Sequence, residues 1–320
     1  MEEFFHGKAI APGISNRHQT RQKSFPQYLD LASDPANRDS LLQIPDFSHL
    51  IAIDSFEDGG FWTRLKDFGL YEQNNNPDEH DVNTNLYDLL IKDNTAYVID
   101  AGGNDLLSQR AFGEVNDDEV NLETVFPTRT TTDPLTGQAV TWQSVPTSVA
   151  VNPDGAFYVG ELTGFPFPAN TAQIYWIDAE GQSEIYAGGF TNITDIAFDR
   201  SGGLYVLEYD ADGMLTGSDT GALIYISPDG KTRTTIADDE LINPTGLKIS
   251  ADGDIYISNK GFIAGQGEVL RLSLEEELNF GCSPQYDSVK DSAMASNSDL
   301  ANVCDSLLAH GFPIESHSGA

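Results

Sequence analysis

The stretch NITDIAFDRSGGLYVLE, residues 192 to 208, decides the fold. It is two short runs of alternating apolar and polar residues around a tight turn, and a period of two with Val, Ile, Tyr and Phe enriched is that of an antiparallel hairpin. The pattern recurs as NLYDLLIKDNTAYVID from Asn85, VPTSVAVNPDGAFYVGE from Val145 and NPTGLKISADGDIYISN from Asn243. The four opening residues are separated by 60, 47 and 51 positions, a period that signals stacked β units. Asn152-Pro153-Asp154-Gly155 and Ala251-Asp252-Gly253-Asp254 supply the turn chemistry between the two runs.

Three of the four units carry a second hairpin, as in AQIYWIDAEGQSEIYAGG from Ala172 and GALIYISPDGKTRTTIA from Gly221. Four antiparallel strands in about 50 residues, repeated, describe the blade of a β-propeller. Such a sheet cannot bury both faces alone, so the expected fold is all-β, with four-stranded blades packed around an axis as a closed ring. Four blades and one half are visible between residues 49 and 274. The last unit has a third strand, Glu268 to Leu272, and no clear fourth. HLIAIDSFEDGGFWTRLKDF, from His49, reads as an outer hairpin whose inner strands would come from residues 1–48, where no repeat is found. A five-bladed ring, an irregular six-bladed ring and a truncated chain all fit. Residues 1–48 are read as a divergent segment holding an incomplete first blade. Residues 275–320, rich in Ser, Asp and Ala, are read as a tail with one helix around Ser298 to Ala309.

Lys and Arg total 17 against 50 Asp and Glu in 320 residues, a formal net charge of −33. Each phosphate contact needs a cation, so the charge disfavours nucleic acid and anionic membrane surfaces as partners, and neither is expected. Hydrophobic residues at 39% suffice for a sizeable core and argue against wholesale disorder. No apolar run approaches the roughly 20 residues of a membrane span, and MEEFFHGKAIAPG lacks the basic and apolar regions of a signal peptide. Cys282 and Cys304 both fall near the C-terminal end, which argues against a disulfide framework. A single bridge and two free thiols both stay open.

Aligning the units puts polar residues in columns. The inner strand opens with Asn85, Val145, Asn192 and Asn243; three positions later stand Asp88, Ser148, Asp195 and Gly246; the second strand ends on Asp100, Glu161, Glu208 and Asn259. In a hairpin the first strand's start and the second strand's end share one edge, so the columns are expected to meet at one mouth of the central channel. Only nine Lys or Arg lie between Asn85 and Leu272. Carboxylates gathered without cations either take up protons or bind a metal, and oxygen ligands suit Ca²⁺. The expected metal ligands are Glu161, Asn192, Glu208 and Asn243, with Asp100, Asp195 and Asn259 around them. The same residue types also cap turns and strand ends, which is the alternative. Asp88 and Ser148 are expected to face a substrate.

Histidine is absent between residues 81 and 309, and cysteine before 282. A Ser-His-Asp or Cys-His mechanism inside the repeats is thereby excluded. His6, His18, His49, His80, His310 and His317 show no zinc spacing. Proton work would fall to carboxylates, with Glu161 or Glu208 as general base. Asp210-Ala211-Asp212-Gly213 opens like an EF-hand loop, but its twelfth position is Gly221, so a turn is the reading. Asn192-Ile193-Thr194 has the glycosylation pattern but opens an inner strand, and Ala101-Gly102-Gly103-Asn104 lacks the frame of a phosphate loop. Glu161-Leu162-Thr163-Gly164-Phe165-Pro166-Phe167-Pro168 leaves the polar edge as an apolar loop. Phe165 and Phe167 would wall a small-molecule pocket there or pack between blades.

The strings YEQNNNPDEHDVNTNLYDLL, YVIDAGGNDLL, VPTSVAVNPDGAFYVGELTGFPFP, GFTNITDIAFDRSGGLYVLE and GQGEVLRL resemble the ScyD/ScyE family, relatives of NHL-type and gluconolactonase-like propellers. That family is associated with biosynthesis of scytonemin, an indole-alkaloid pigment. The resemblance runs from about residue 50 to 273 and implies six blades and an extracytoplasmic (periplasmic or secreted) location. The missing export signal and first blades depart from it; a cytoplasmic chain fits the sequence as written. It carries over no catalytic motif. The functional expectation is binding of a small aromatic metabolite at the acidic mouth, with Ca²⁺ as the divalent metal. The alternatives are a non-catalytic scaffold docking a pathway protein, and a metal-dependent lactone hydrolase or lyase of the gluconolactonase type.

Overall fold

A computed structural model describes residues 34–43, 47–53, 62–110, 120–133 and 136–273, and they are built chiefly of short antiparallel strands. The chain divides into two compact units, 1–196 with 211–218, and 197–210 with 219–320. Cys282, Cys304, the expected helix at Ser298–Ala309 and His6, His18, His310 and His317 lie outside the described residues.

The first unit opens with a helical turn, Pro35–Asn37, running into a π-helical turn, Arg38–Leu42. Residues 35–42 are thus helical. The expected hairpin follows as β1 (His49–Ile53) paired with β2 (Trp62–Asp67). Arg38 fastens the turn to it, its Nη1 and Nη2 donating to the two oxygens of Asp67 at 2.7 and 2.9 Å; such a bidentate pair fixes orientation as well as adding energy. Asp67 also caps helix α1 (Phe68–Asn75) by accepting from the Leu70 N–H at 2.9 Å, and Asn76 ends it in the left-handed conformation.

The first blade has β3 (Leu86–Lys92), β4 (Thr95–Asp100), β5 (Asp105–Arg110) and β6 (Asn121–Val125) in sequence order. A hairpin of β7 (Arg129–Thr132) and β8 (Ala139–Trp142) precedes the second blade. That blade holds β9 (Pro146–Val151), β10 (Phe157–Glu161), β11 (Ala172–Ile177) and β12 (Ser183–Phe190). A third four-stranded sheet consists of β13 (Ile193–Phe198), β14 (Leu204–Glu208), β15 (Ala222–Ile226) and β16 (Arg233–Ala237). The fourth has three strands among the described residues, β17 (Gly246–Ile249), β18 (Ile255–Asn259) and β19 (Glu268–Leu272). These antiparallel sheets are β-propeller blades.

The strands' alternation explains the packing. In β4, Val98 joins a cluster with Leu50, Phe68, Ala96 and Leu107, while its neighbour Ile99 joins Leu90, Leu106, Phe126, Val149, Val159 and Tyr175 on the other face. The first blade is therefore buried on both sides, by α1 and β1 on one and by the second blade on the other. Each fully buried Ile or Leu there contributes about 1.5–3 kcal/mol. In the second unit Tyr205, Leu207, Leu223 and Tyr225 pack on Leu247, Ile255 and Ile257 in the same manner. The expected turns form where the sequence placed them, with Gly155 and Gly253 at φ 88° and 90°. No helix among the described residues is long and apolar enough to cross a membrane.

Candidate functional site

In the first, second and fourth blades the registers bring the two ends of the inner hairpin to one edge: Leu86 stands opposite Asp100, Pro146 opposite Glu161, and Gly246 opposite Ser258. The first column is set by the backbone. Val145, Asn192 and Asn243 hold φ at 54°, 52° and 40°, a conformation that Asn tolerates better than most residues. Asn192 Nδ2 donates to the Leu162 carbonyl at 3.0 Å, and Asn243 Nδ2 to that of Tyr209 at 3.3 Å.

Residues ending the second strand satisfy loop amides. Asp100 Oδ1 accepts from the N–H groups of Asn85, Gly102 and Gly103 at 2.7, 3.0 and 2.9 Å. In the second unit Asn259 Oδ1 accepts from Ile242 N at 2.7 Å. Glu208 is buried there with the charge of Arg233 in reach. Glu161, the expected general base and ligand, is ion-paired with Arg129 and accepts from the Ser144 hydroxyl, the Gln173 N–H at 2.8 Å and the Tyr175 hydroxyl at 3.1 Å. Burial pushes its carboxyl up, against the pull of Arg129, Ser144 and Tyr175.

Asp88 gives one oxygen to the Leu89 N–H and the other to the Val149 N–H in the next blade, both at 2.9 Å. Asp195 accepts from the Ile196 N–H at 2.9 Å. Burial raises the Tyr87 hydroxyl most, and the charges of Asp195 and Asp88 add to it. Ser148 is fully buried and its Oγ has no partner, as is true of Asn192 Oδ1. Phe165 is 49% exposed and meets Phe167 edge-on at 6.0 Å.

The densest chemistry lies outside the columns except for Asp100. Glu72 of α1, Asp78 of the turn after it, Asp100 and Asp105 are all buried at the loop edge of the first blade. Asp100 and Asp105 face each other across β4 and β5. Burial and then the neighbouring Asp100 push Glu72 up to about 7. Burial pushes Asp100 up to about 6 against its three backbone donors. Asp105 is raised well above the usual range by burial and by the charges of Asp100, Glu72 and Asp78. Asp78 is tied down by Gln143 Nε2 at 2.7 Å and the His80 N–H at 3.0 Å. A Cβ at Gly102 would stand 2.6 Å from Asn83 Oδ1 and 2.8 Å from Asn85 N, which is why the chain needs glycine to close this loop. Sequence reasoning found Asp100 and missed Glu72, Asp78, Asp105 and Tyr87. The density of acids and amides in YEQNNNPDEHDVNTN and AGGND was the available signal. Among the described residues, no three His, Cys, Asp or Glu side chains form a ready metal-ligand group.

No known family's profile matches the chain, and no curated protein matches it. It is similar in structure to a gluconolactonase from Xanthomonas campestris, at 19% identity and a TM-score of 0.40 over 55% of this chain and 53% of that one. The chain thus spans about half of that enzyme's length. It is also similar to a chain of the nidogen/laminin complex, at 14% identity and a TM-score of 0.44 over 70% of this chain and 75% of that one.

Proposed function

We propose that the protein binds a small aromatic molecule at the loop edge of its second blade, beside Phe165 and Phe167. The exposed Phe165 ring on an anchored loop carries this reading. The N–H groups of Leu162, Thr163 and Gly164 donate to the carbonyls of Val145, Ser144 and Gln143 at 2.8–2.9 Å, and Phe167 N to Gly164 O at 2.8 Å. An aromatic pair held in place before binding loses little entropy when a ring stacks on it. Ala169, at the end of this loop, lies 3.4 Å from where a Cβ on Gly213 would sit, next to the exposed Met214 and Leu215. Exposed apolar side chains therefore also stand on the segment that meets the end of this loop.

The resemblance to the ScyD/ScyE family suggests an indole-alkaloid pathway as the context and an extracytoplasmic location. Calorimetry against a panel of indoles and other aromatic compounds tests the reading. Saturable binding that weakens about tenfold or more in Phe165→Ala, with an unchanged melting temperature, is the expected result. The exposure of Met214 and Leu215 favours a second reading, a contact for a pathway protein. A lactone hydrolase or lyase would need a general base other than Glu161, whose oxygens are engaged by Arg129, Ser144, Tyr175 and Gln173.

A further inference from the structure

We propose that Asp105 and Glu72, with the amide oxygens of Asn83 and Asn85, bind a hard divalent cation, Ca²⁺ in preference to Mg²⁺, beside Asp100 at the loop edge of the first blade. Asp105 carries the argument. It is 0% exposed, and neither carboxylate oxygen has a hydrogen-bond partner. The charges bearing on it are those of Asp100, Glu72 and Asp78, all of its own sign. Buried polar atoms are nearly always partnered, so two orphaned oxygens on one carboxylate point to a missing ligand.

The neighbours are of the right kind. Asp100 and Asp105 are directly paired across β4 and β5, and paired residues leave a sheet on the same face. Asp100 Oδ2 and Glu72 Oε2 lie 3.4 and 3.5 Å from the point that a Cβ on Gly103 would occupy, so a glycine there leaves room between them. Glu72 Oε1, Asn83 Oδ1 and Asn85 Oδ1 are also buried without partners. A shell of two carboxylates completed by neutral amide oxygens is oxygen-only and irregular. Ca²⁺ accepts such shells, whereas Mg²⁺ demands near-octahedral geometry and keeps its waters.

The other blades set this one apart. The position across from the second strand's end is Asp105 in the first blade, Ala222 opposite Glu208 in the third, and Glu268 opposite Asn259 in the fourth. Lys260 answers Glu268 with an ion pair at 2.7 Å. Among these three pairs, two acids stand side by side only in the first blade.

The inference does not rest on aromatic binding, because its test uses the metal alone. Full-length protein stripped with a chelator is titrated with Ca²⁺ at neutral pH by calorimetry and thermal melting. Tb³⁺ luminescence excited through tyrosine gives a second readout, since Tyr71 lies within charge reach of Asp105 and Glu72. Expected are saturation at one ion per chain, a raised melting temperature, and affinity falling about tenfold or more in Asp105→Asn. The surface control Glu268→Gln should bind like the wild type. Should Asp105→Asn not fold, Glu72→Gln must show the same loss, and Ca²⁺ must displace Tb³⁺ from the wild type. The proposal is overturned by absence of heat and melting shift at Ca²⁺ up to about 10 mM, above the range of weak calcium modules. It is equally overturned if Asp105→Asn and Glu72→Gln bind like the wild type, which would assign the ion to the acidic surface.

Discussion

Arg129 is the residue on which Glu161 depends. It ion-pairs with the carboxylate, donates to the Thr171 carbonyl at 3.0 Å, and lies 4.1 Å from the centre of the Trp142 ring. Removing one partner of a buried pair leaves an uncompensated charge, so Arg129→Ala is expected to cost about 3 kcal/mol. Adding Glu161→Gln should restore a good part of it, which urea unfolding of both variants measures. The left-handed column makes a second test. Val145, with φ 54°, stands where Asn stands at 192 and 243. A β-branched residue there is strained, and Val145→Asn is expected to gain about 1 kcal/mol while Asn192→Ala loses about 1–2. The column was legible in the sequence; its cause was not. Aligned letters show that three blades share an Asn, whereas the positive φ falls on Val145, Asn192 and Asn243 and not on Asn85.

The blades themselves were easy to read, because period-two patterning and Asp-Gly turns act over a few residues. The elements missed were those without an extended periodic pattern. Helix α1 has almost no amphipathic signature in FGLYEQNN and is set by Asp67 at its start and Asn76 at its end. The hairpin of β7 and β8 joins the polar RTTT to AVTW, where Val140 and Trp142 give an apolar face only two residues long. The loop between β4 and β5 offers the test at this scale. An alanine at Gly102 would meet backbone atoms of Asn83 and Asn85 at 2.9 and 2.8 Å. Gly102→Ala is expected to destabilise by about 1–3 kcal/mol and to weaken cation binding with it, checked by melting with and without Ca²⁺. The acidic cluster was hidden for a different reason, since Glu72 and Asp105 are 33 positions apart and meet only once the blade has formed.

For the whole molecule, the formal charge of −33 sets the response to pH and salt. Glu72 rises from 4.5 to about 7 and Asp100 from 3.8 to about 6 on folding. The folded chain therefore holds more protons than the unfolded one across that window. Stability from these groups is full below their unfolded values and is lost as pH rises through the folded ones. In chelator, the melting temperature of the wild type is expected to fall between about pH 5 and pH 8 more steeply than that of Glu72→Gln. Saturating Ca²⁺ should flatten the difference. Raising salt should stabilise the metal-free chain modestly, by screening its self-repulsion.

The left-handed Asn residues at the inner-strand starts bear on how such a chain diversifies. When a unit is repeated, copies keep what the backbone demands, as the positive φ at Val145, Asn192 and Asn243 shows. A new activity has to be written where copies are free to differ, as at the position held by Asp105, Ala222 and Glu268. In a propeller of this kind, then, the letters that agree between blades describe the scaffold, and the history of its chemistry is kept in the letters that disagree.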